Sequence, residues 1–174
     1  MRVVGFVVGM IVGVWLWVGA GEAYNGVLAK VAEPLVRIDS RFGDAELVAD
    51  GRAIRVAPRD TTTLPPATLP ADELTYSIII LFALFGASPR PWRARNLGAL
   101  AISLIPVSLS HIVTLVISIE STYANRLGAW SEAHYGTAAM NGWLMAELFM
   151  RVVGMFGVAF ACWWGSRPTA SPAR

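Results

Sequence analysis

The chain has 174 residues, 55% of them hydrophobic and 15% charged, with a net charge of +2. That balance is too apolar for an ordinary soluble domain, and basic residues that form no continuous stripe exclude a nucleic-acid surface. The single cysteine, Cys162, excludes an intrachain disulfide framework and an all-cysteine metal site. Every basic residue except Lys30 is arginine; with abundant Ala, Gly and Val, this suggests GC-rich coding and a bacterial source.

Four apolar stretches cover residues 3–20, 74–87, 97–119 and 144–164. A hydrocarbon core of about 30 Å takes on the order of 20 apolar helical residues to cross. Lipid offers unpaired backbone groups no partners, so such stretches cross as helices. The expectation is an all-α membrane protein: one four-transmembrane-helix bundle over residues 1–174, with a small extracytoplasmic β-hairpin cap in the loop 21–73. The first stretch repeats Gly5, Gly9 and Gly13 at intervals of four, a helix-packing ridge that lets another helix approach closely in lipid. Arg2 with Gly19, Ala20 and Gly21 also fits a signal peptide cleaved near Ala20 or Ala23; the ridge favours retention.

Residues 22–38 are expected to continue as an amphipathic helix, with Val27, Leu28, Val31, Leu35 and Ile38 on the apolar face and Glu33-Pro34 breaking it late. It would lie on the membrane surface or against the outer ends of the spans. The segment 46–56 then places two β-compatible runs around Asp50-Gly51, a pair suited to a type I′ hairpin turn. A lone hairpin is marginal in water, so it needs the amphipathic helix, the second outer loop or a partner protein beside it. Residues 61–70, rich in Thr and Pro, read as an extended linker. Asp72 is placed to cap the second span, and Trp15, Trp17, Trp92, Trp143, Trp163 and Trp164 bracket the spans as interfacial anchors.

Arg2, the trio Arg90, Arg93 and Arg95, and the pair Arg167 and Arg174 occupy three segments without an acidic residue. The loops 22–73 and 120–143 hold eleven of the twelve acidic residues. Short arginine-rich segments mark the cytoplasmic side, so both termini are expected in the cytoplasm of a bacterial inner membrane.

Three ionisable residues fall inside the expected spans: His111 on the third, and Glu147 and Arg151 one turn apart on the fourth. At 1.5 Å per residue, His111 lies about 21 Å above the cytoplasmic edge and Arg151 about 20 Å above its own. Groups at this depth are costly and face the bundle interior. One reading is a polar site able to hold an anion or exchange a proton. The other is a structural Glu147–Arg151 pair reaching toward the outer headgroups, with His111 hydrogen-bonded to Ser or Thr. Pro106 among Ser103, Ser108 and Ser110 suggests a bent third span whose freed backbone groups find local partners. Cys162 lies about 20 Å below His111 and has no base within reach. His134, near Glu132 and Tyr135, has no companion ligand for a metal. No catalytic residue, cofactor or metal is therefore expected.

The order of parts carries a resemblance: one span, an amphipathic piece, a β segment around Leu47-Val-Ala-Asp50-Gly51-Arg52-Ala-Ile-Arg-Val56, then three spans joined by short links. With the segments 74–85 and 105–110, this layout resembles the small membrane proteins encoded beside exosortases, systems that process and sort envelope proteins in Gram-negative bacteria. The resemblance implies an accessory role and carries over no functional residue. Packing features outnumber chemical ones, so the expected function is a non-enzymatic accessory of an inner-membrane complex, meeting lipid and a membrane-protein partner through its glycine ridge or outer cap. The alternative is a small transporter or ion-conducting protein built around His111, Glu147 and Arg151.

Overall fold

Burial in this molecule divides into two zones that obey different rules. The computed structural model describes residues 2–59 and 64–167; Arg174 and residues 61–63 of the expected linker lie outside it. The chain is mostly helical, and three of its helical stretches (Val3–Val36, Ala94–Asn125 and Thr137–Gly165) are long and apolar enough to cross a membrane. This is a membrane-embedded protein.

Helix α1 (Arg2–Val36) runs without a break from the first apolar stretch through the expected amphipathic piece, with Pro34 in its last turn. Strands β1 (Ala45–Asp50), β2 (Ala53–Pro58) and β3 (Ala67–Pro70) form an antiparallel sheet in sequence order. Then come the short α2 (Asp72–Thr75) and α3 (Ser77–Gly86), the long α4 (Ala94–Asn125), and α5 (Ala129–His134). A last helical stretch joins α6 (Thr137–Phe149), a wide π turn at Met150–Gly154, and α7 (Met155–Gly165).

The sheet corrects three sequence expectations. Part of the expected linker is strand β3, paired to β2 from Ala53↔Pro70 to Val56↔Ala67, so the hairpin finds its neighbour in the next segment of its own chain. The turn residues are Gly51 and Arg52, since Asp50 pairs with Ala53. Gly51 alone takes a positive φ, +58°, the pattern of a type II′ turn and not of type I′. That register places the residue without a β-carbon at the left-handed position and frees Asp50 to pair with Arg55 at 2.7 Å. The expected Asp72 cap is absent: Ala71 holds the cap position without a side-chain bond, and the Asp72 carboxylate faces Arg52 at 3.5 Å.

The larger core lies beside the sheet, where Leu28, Ala29, Ala32 and Val36 of α1 meet Leu47, Ile54, Val56 and Leu69, together with Phe42, Leu115, Ile119 and Tyr123. A second, small core of Leu81, Phe85, Val107 and Ala159 sits between α3, α4 and α7. Lipid tails are as apolar as leucine, so helices there are held by close packing and hydrogen bonds. The glycine ridge supplies the packing within the chain itself. A β-carbon on Gly5 would overlap the Gly86 carbonyl, one on Gly9 would overlap the Phe82 carbonyl, and one on Gly13 would lie 2.9 Å from the Ile79 Cα. Helix α3 thus runs antiparallel along the ridge and covers it.

The apolar row of the amphipathic piece is left mostly uncovered by the sheet. Leu28 is buried, but Val27, Val31, Leu35 and Ile38 are 60, 46, 44 and 79% exposed, because the sheet takes the neighbouring face of Ala29, Ala32 and Val36.

Candidate functional site

Helix α4 is continuous through Pro106, with Ser103, Ser110 and Thr114 donating back to the carbonyls of Ala99, Val107 and Ser110. It carries His111 into the bundle fully buried. The Nδ1 of His111 lies 2.7 Å from the Tyr24 hydroxyl of α1, and its Nε2 lies 2.7 Å from the Ser77 hydroxyl at the start of α3. A neutral imidazole donates from one nitrogen and accepts at the other, and each hydroxyl can serve either way. The ring therefore ties three helices together with both nitrogens occupied, and the Tyr24 ring meets it edge-on at 5.8 Å. Beside this clasp, Trp17 of α1 donates from its indole nitrogen to Thr75 at 3.0 Å.

Glu147 and Arg151 form a separate group. Glu147 is 2% exposed, and its carboxylate meets the Arg151 guanidinium at 2.8 Å and that of Arg126 at 3.6 Å. Arg151 also donates to the exposed Glu73 at 2.5 Å. The charges alternate along the row Arg126, Glu147, Arg151, Glu73 and leave it neutral. Neither Glu147 oxygen accepts an aligned hydrogen bond, so charge alone holds it. The π turn at Met150–Gly154 encloses Arg151 and changes the facing of the helix at that point. Glu73 stands at the sheet end of the short helix pair, which places this row at the rim of the bundle.

Among the described residues no hydrogen bond or ion pair joins His111 to Glu147 or Arg151. Equal depth on adjacent helices does not make them one site. Cys162 packs in the small core beside Val107 and Ala159. His134 stacks on Trp130 at 4.2 Å, its Nδ1 2.8 Å from the Trp130 carbonyl. No group of His, Cys, Asp and Glu among the described residues has metal-binding geometry.

A third cluster, in the outer cap, carries no sequence motif. Arg41 donates from Nε to both Asp39 oxygens at 3.0 Å and reaches Glu120 at 3.4 Å. The Tyr135 hydroxyl donates to Glu120 at 2.8 Å, and the Arg41 guanidinium lies 3.9 Å over the Tyr135 ring. The hydrogen bonds from Arg41 hold the Asp39 carboxyl below its ordinary value. Burial first, and the bond to Glu120 second, push the Tyr135 hydroxyl up, so it remains a donor. The cluster locks the turn after α1, the C-terminal end of α4 and the loop before α6 to one another. Its hydrogen bond from Arg41 to Glu120 spans 79 residues, beyond the reach of any local pattern; the only local hint is an acid, Glu120, where the third apolar stretch ends.

No known family, curated protein or solved structure matches the chain.

Proposed function

We propose that the chain is a four-span, non-enzymatic accessory subunit of a bacterial inner-membrane complex, with both termini cytoplasmic, in an envelope protein-sorting system of the exosortase type. The observation that carries this reading is the row Val27, Val31 and Leu35 on the outward end of α1, with Ile38 in the turn just after it, exposed while the adjacent face packs the sheet. Such a row beyond the bundle fits a partner helix or sheet. Because α3 already covers the glycine ridge, this row on the cap is the better place for a partner.

The four-span count rests on α2 and α3. Together they extend on the order of 22 Å antiparallel to α1, from Trp17 beside Thr75 to Gly5 against Gly86. The transporter reading draws less support, because the ring nitrogens of His111 are both engaged and the charged row at Glu147 is neutral and separate.

The test pairs topology with contact. Labelling of a cysteine at position 94, in a Cys162→Ser background, from outside the cell would overturn the orientation. A photo-crosslinker at Val31 or Leu35 is expected to capture one reproducible envelope protein, lost on Val31→Glu with Leu35→Glu. Cross-links to lipid alone would overturn the partner reading.

A further inference from the structure

At the end of the bundle opposite the sheet, Arg90, Arg93, Arg95 and Arg167 line one cavity of about 240 Å³ together with Ser88 and Asn96. Arg90 and Arg93 come from the link before α4, Arg95 from the first turn of α4, and Arg167 follows the end of α7. None of the four makes an ion pair among the described residues, and no acidic residue lines the cavity. The positive-inside pattern explains why arginines lie at this face. It does not explain why four of them, from two distant segments, converge on one concavity without a counter-charge.

Two features show the site to be built. Arg90 takes φ +56°, a left-handed conformation for a residue with a β-carbon. The Asn96 amide holds it there by donating to the carbonyls of Pro89 and Arg90, both at 3.0 Å. Arg167 is fixed by its guanidinium stacking 3.5 Å over the Trp163 ring, a contact that leaves its N–H edge free for bidentate bonding. The four arginines are themselves exposed, so the cavity opens to solvent, and strain beside such a charge cluster motivates the hypothesis of a ligand. Asn96 also borders a second, apolar groove between α1, α3 and α4, lined by Phe82, Phe85, Trp92, Leu97 and Leu100.

We propose that Arg90, Arg93, Arg95 and Arg167 bind the phosphate group of an anion. Planar guanidinium forks match phosphate oxygens, and basic pockets between spans hold anionic headgroups. The phosphate reaches the site on an anionic phospholipid, whose chain the adjoining apolar groove can receive, or free from the aqueous side.

The test uses the full chain purified in neutral detergent, where altered arginines cannot act through membrane insertion. It is titrated separately with phosphatidylglycerol, with phosphatidylcholine of the same chains, and with inorganic phosphate and pyrophosphate, reading the thermal midpoint and tryptophan fluorescence. A saturable gain from phosphatidylglycerol over phosphatidylcholine assigns the lipid source. A saturable gain from phosphate or pyrophosphate that abolishes the lipid effect assigns the free one. In either case Arg93→Gln with Arg95→Gln is expected to raise the half-saturating concentration about tenfold or more. Arg93→Lys with Arg95→Lys, which keeps the charge and guards against misfolding, is expected to fall between, and Arg52→Gln with Arg55→Gln on the sheet to match the unaltered chain. No saturable binding of any phosphate probe, or equal binding by the glutamine variant, overturns the proposal.

Discussion

The Tyr24 hydroxyl lies 2.7 Å from His111 Nδ1, so a residue on the first helix is held to one 87 positions later in the middle of α4. The opposite ring nitrogen meets Ser77. Removing either hydroxyl strands a nitrogen of a fully buried ring. Tyr24→Phe and Ser77→Ala are each expected to destabilise by about 1 kcal/mol, since interhelical hydrogen bonds in membranes average about 0.6 and the stranded group adds to the loss. Thermal unfolding in detergent measures both. A double variant equal to the sum of the singles would show that the ring does not couple the two helices.

The glycine ridge predicts a position-specific series. Gly9→Leu must push apart the α1 and α3 backbones at Phe82, whose carbonyl cannot yield as a flexible side chain would. A loss of about 1–3 kcal/mol or more is expected from such overpacking. Gly19 meets nothing within 4 Å, and Gly19→Leu is expected to stay within about 0.5 kcal/mol. Equal effects at the two positions would remove the ridge from any account of folding.

Glu147 is the shared counter-charge of Arg126 and Arg151, while Arg151 retains Glu73. Glu147→Ala is expected to lower the yield of folded protein more than Glu147→Ala combined with Arg151→Leu. The coupling is on the order of 0.5–3 kcal/mol. Size-exclusion yield from membranes reads it directly. A double variant as poorly folded as the single would mean that the two side chains act independently.

Acid should loosen the outer cap through Asp39. Its carboxyl is held below the ordinary value of 3.8 by Arg41, so the folded state binds a proton more weakly than the unfolded chain. The contribution is present above about pH 4 and is lost as pH falls through the lowered folded value. Arg41→Gln is expected to lose about 1.5–3 kcal/mol at neutral pH. The gap from the unaltered chain should narrow below pH 4, followed by fluorescence of Trp130, whose ring lies 5.2 Å from that of Tyr123 and 6.2 Å from that of Tyr135 in the cap. A gap constant from pH 7 to pH 3 would show that the loss comes from the Glu120 and Tyr135 contacts of Arg41 and not from ionised Asp39.

Several elements were legible in the chain alone because their cause is local. Runs of apolar residues announce helices in lipid wherever they occur, since the cost of unpaired backbone does not depend on neighbours. The spacing of Gly5, Gly9 and Gly13 announces a close-packed face, and His111, Glu147 and Arg151 stand out because ionisable groups in an apolar run are expensive. The hairpin 45–58 follows from its alternation, although its turn shifted to the register that gives Gly51 the left-handed position.

What only the tertiary structure decided are the pairings. Helix α3 covers the glycine ridge, and Tyr24 and Ser77 bracket His111 while Glu73 and Arg126 take the charges of Arg151 and Glu147. β3 turns an expected linker into sheet, and Arg167 joins three arginines from the start of α4 and the link before it. Which face of α1 the sheet covers was decided in the same way. Val27, Val31 and Leu35 are as apolar as Leu28, Ala32 and Val36, and which row is covered depends on where the sheet docks. Asn25 and Glu33 set that docking, through bonds to the Gly51 carbonyl and the Leu47 N–H at 3.1 Å each. Periodicity describes a helix face by face, but contacts between residues tens of positions apart arise only when the elements meet.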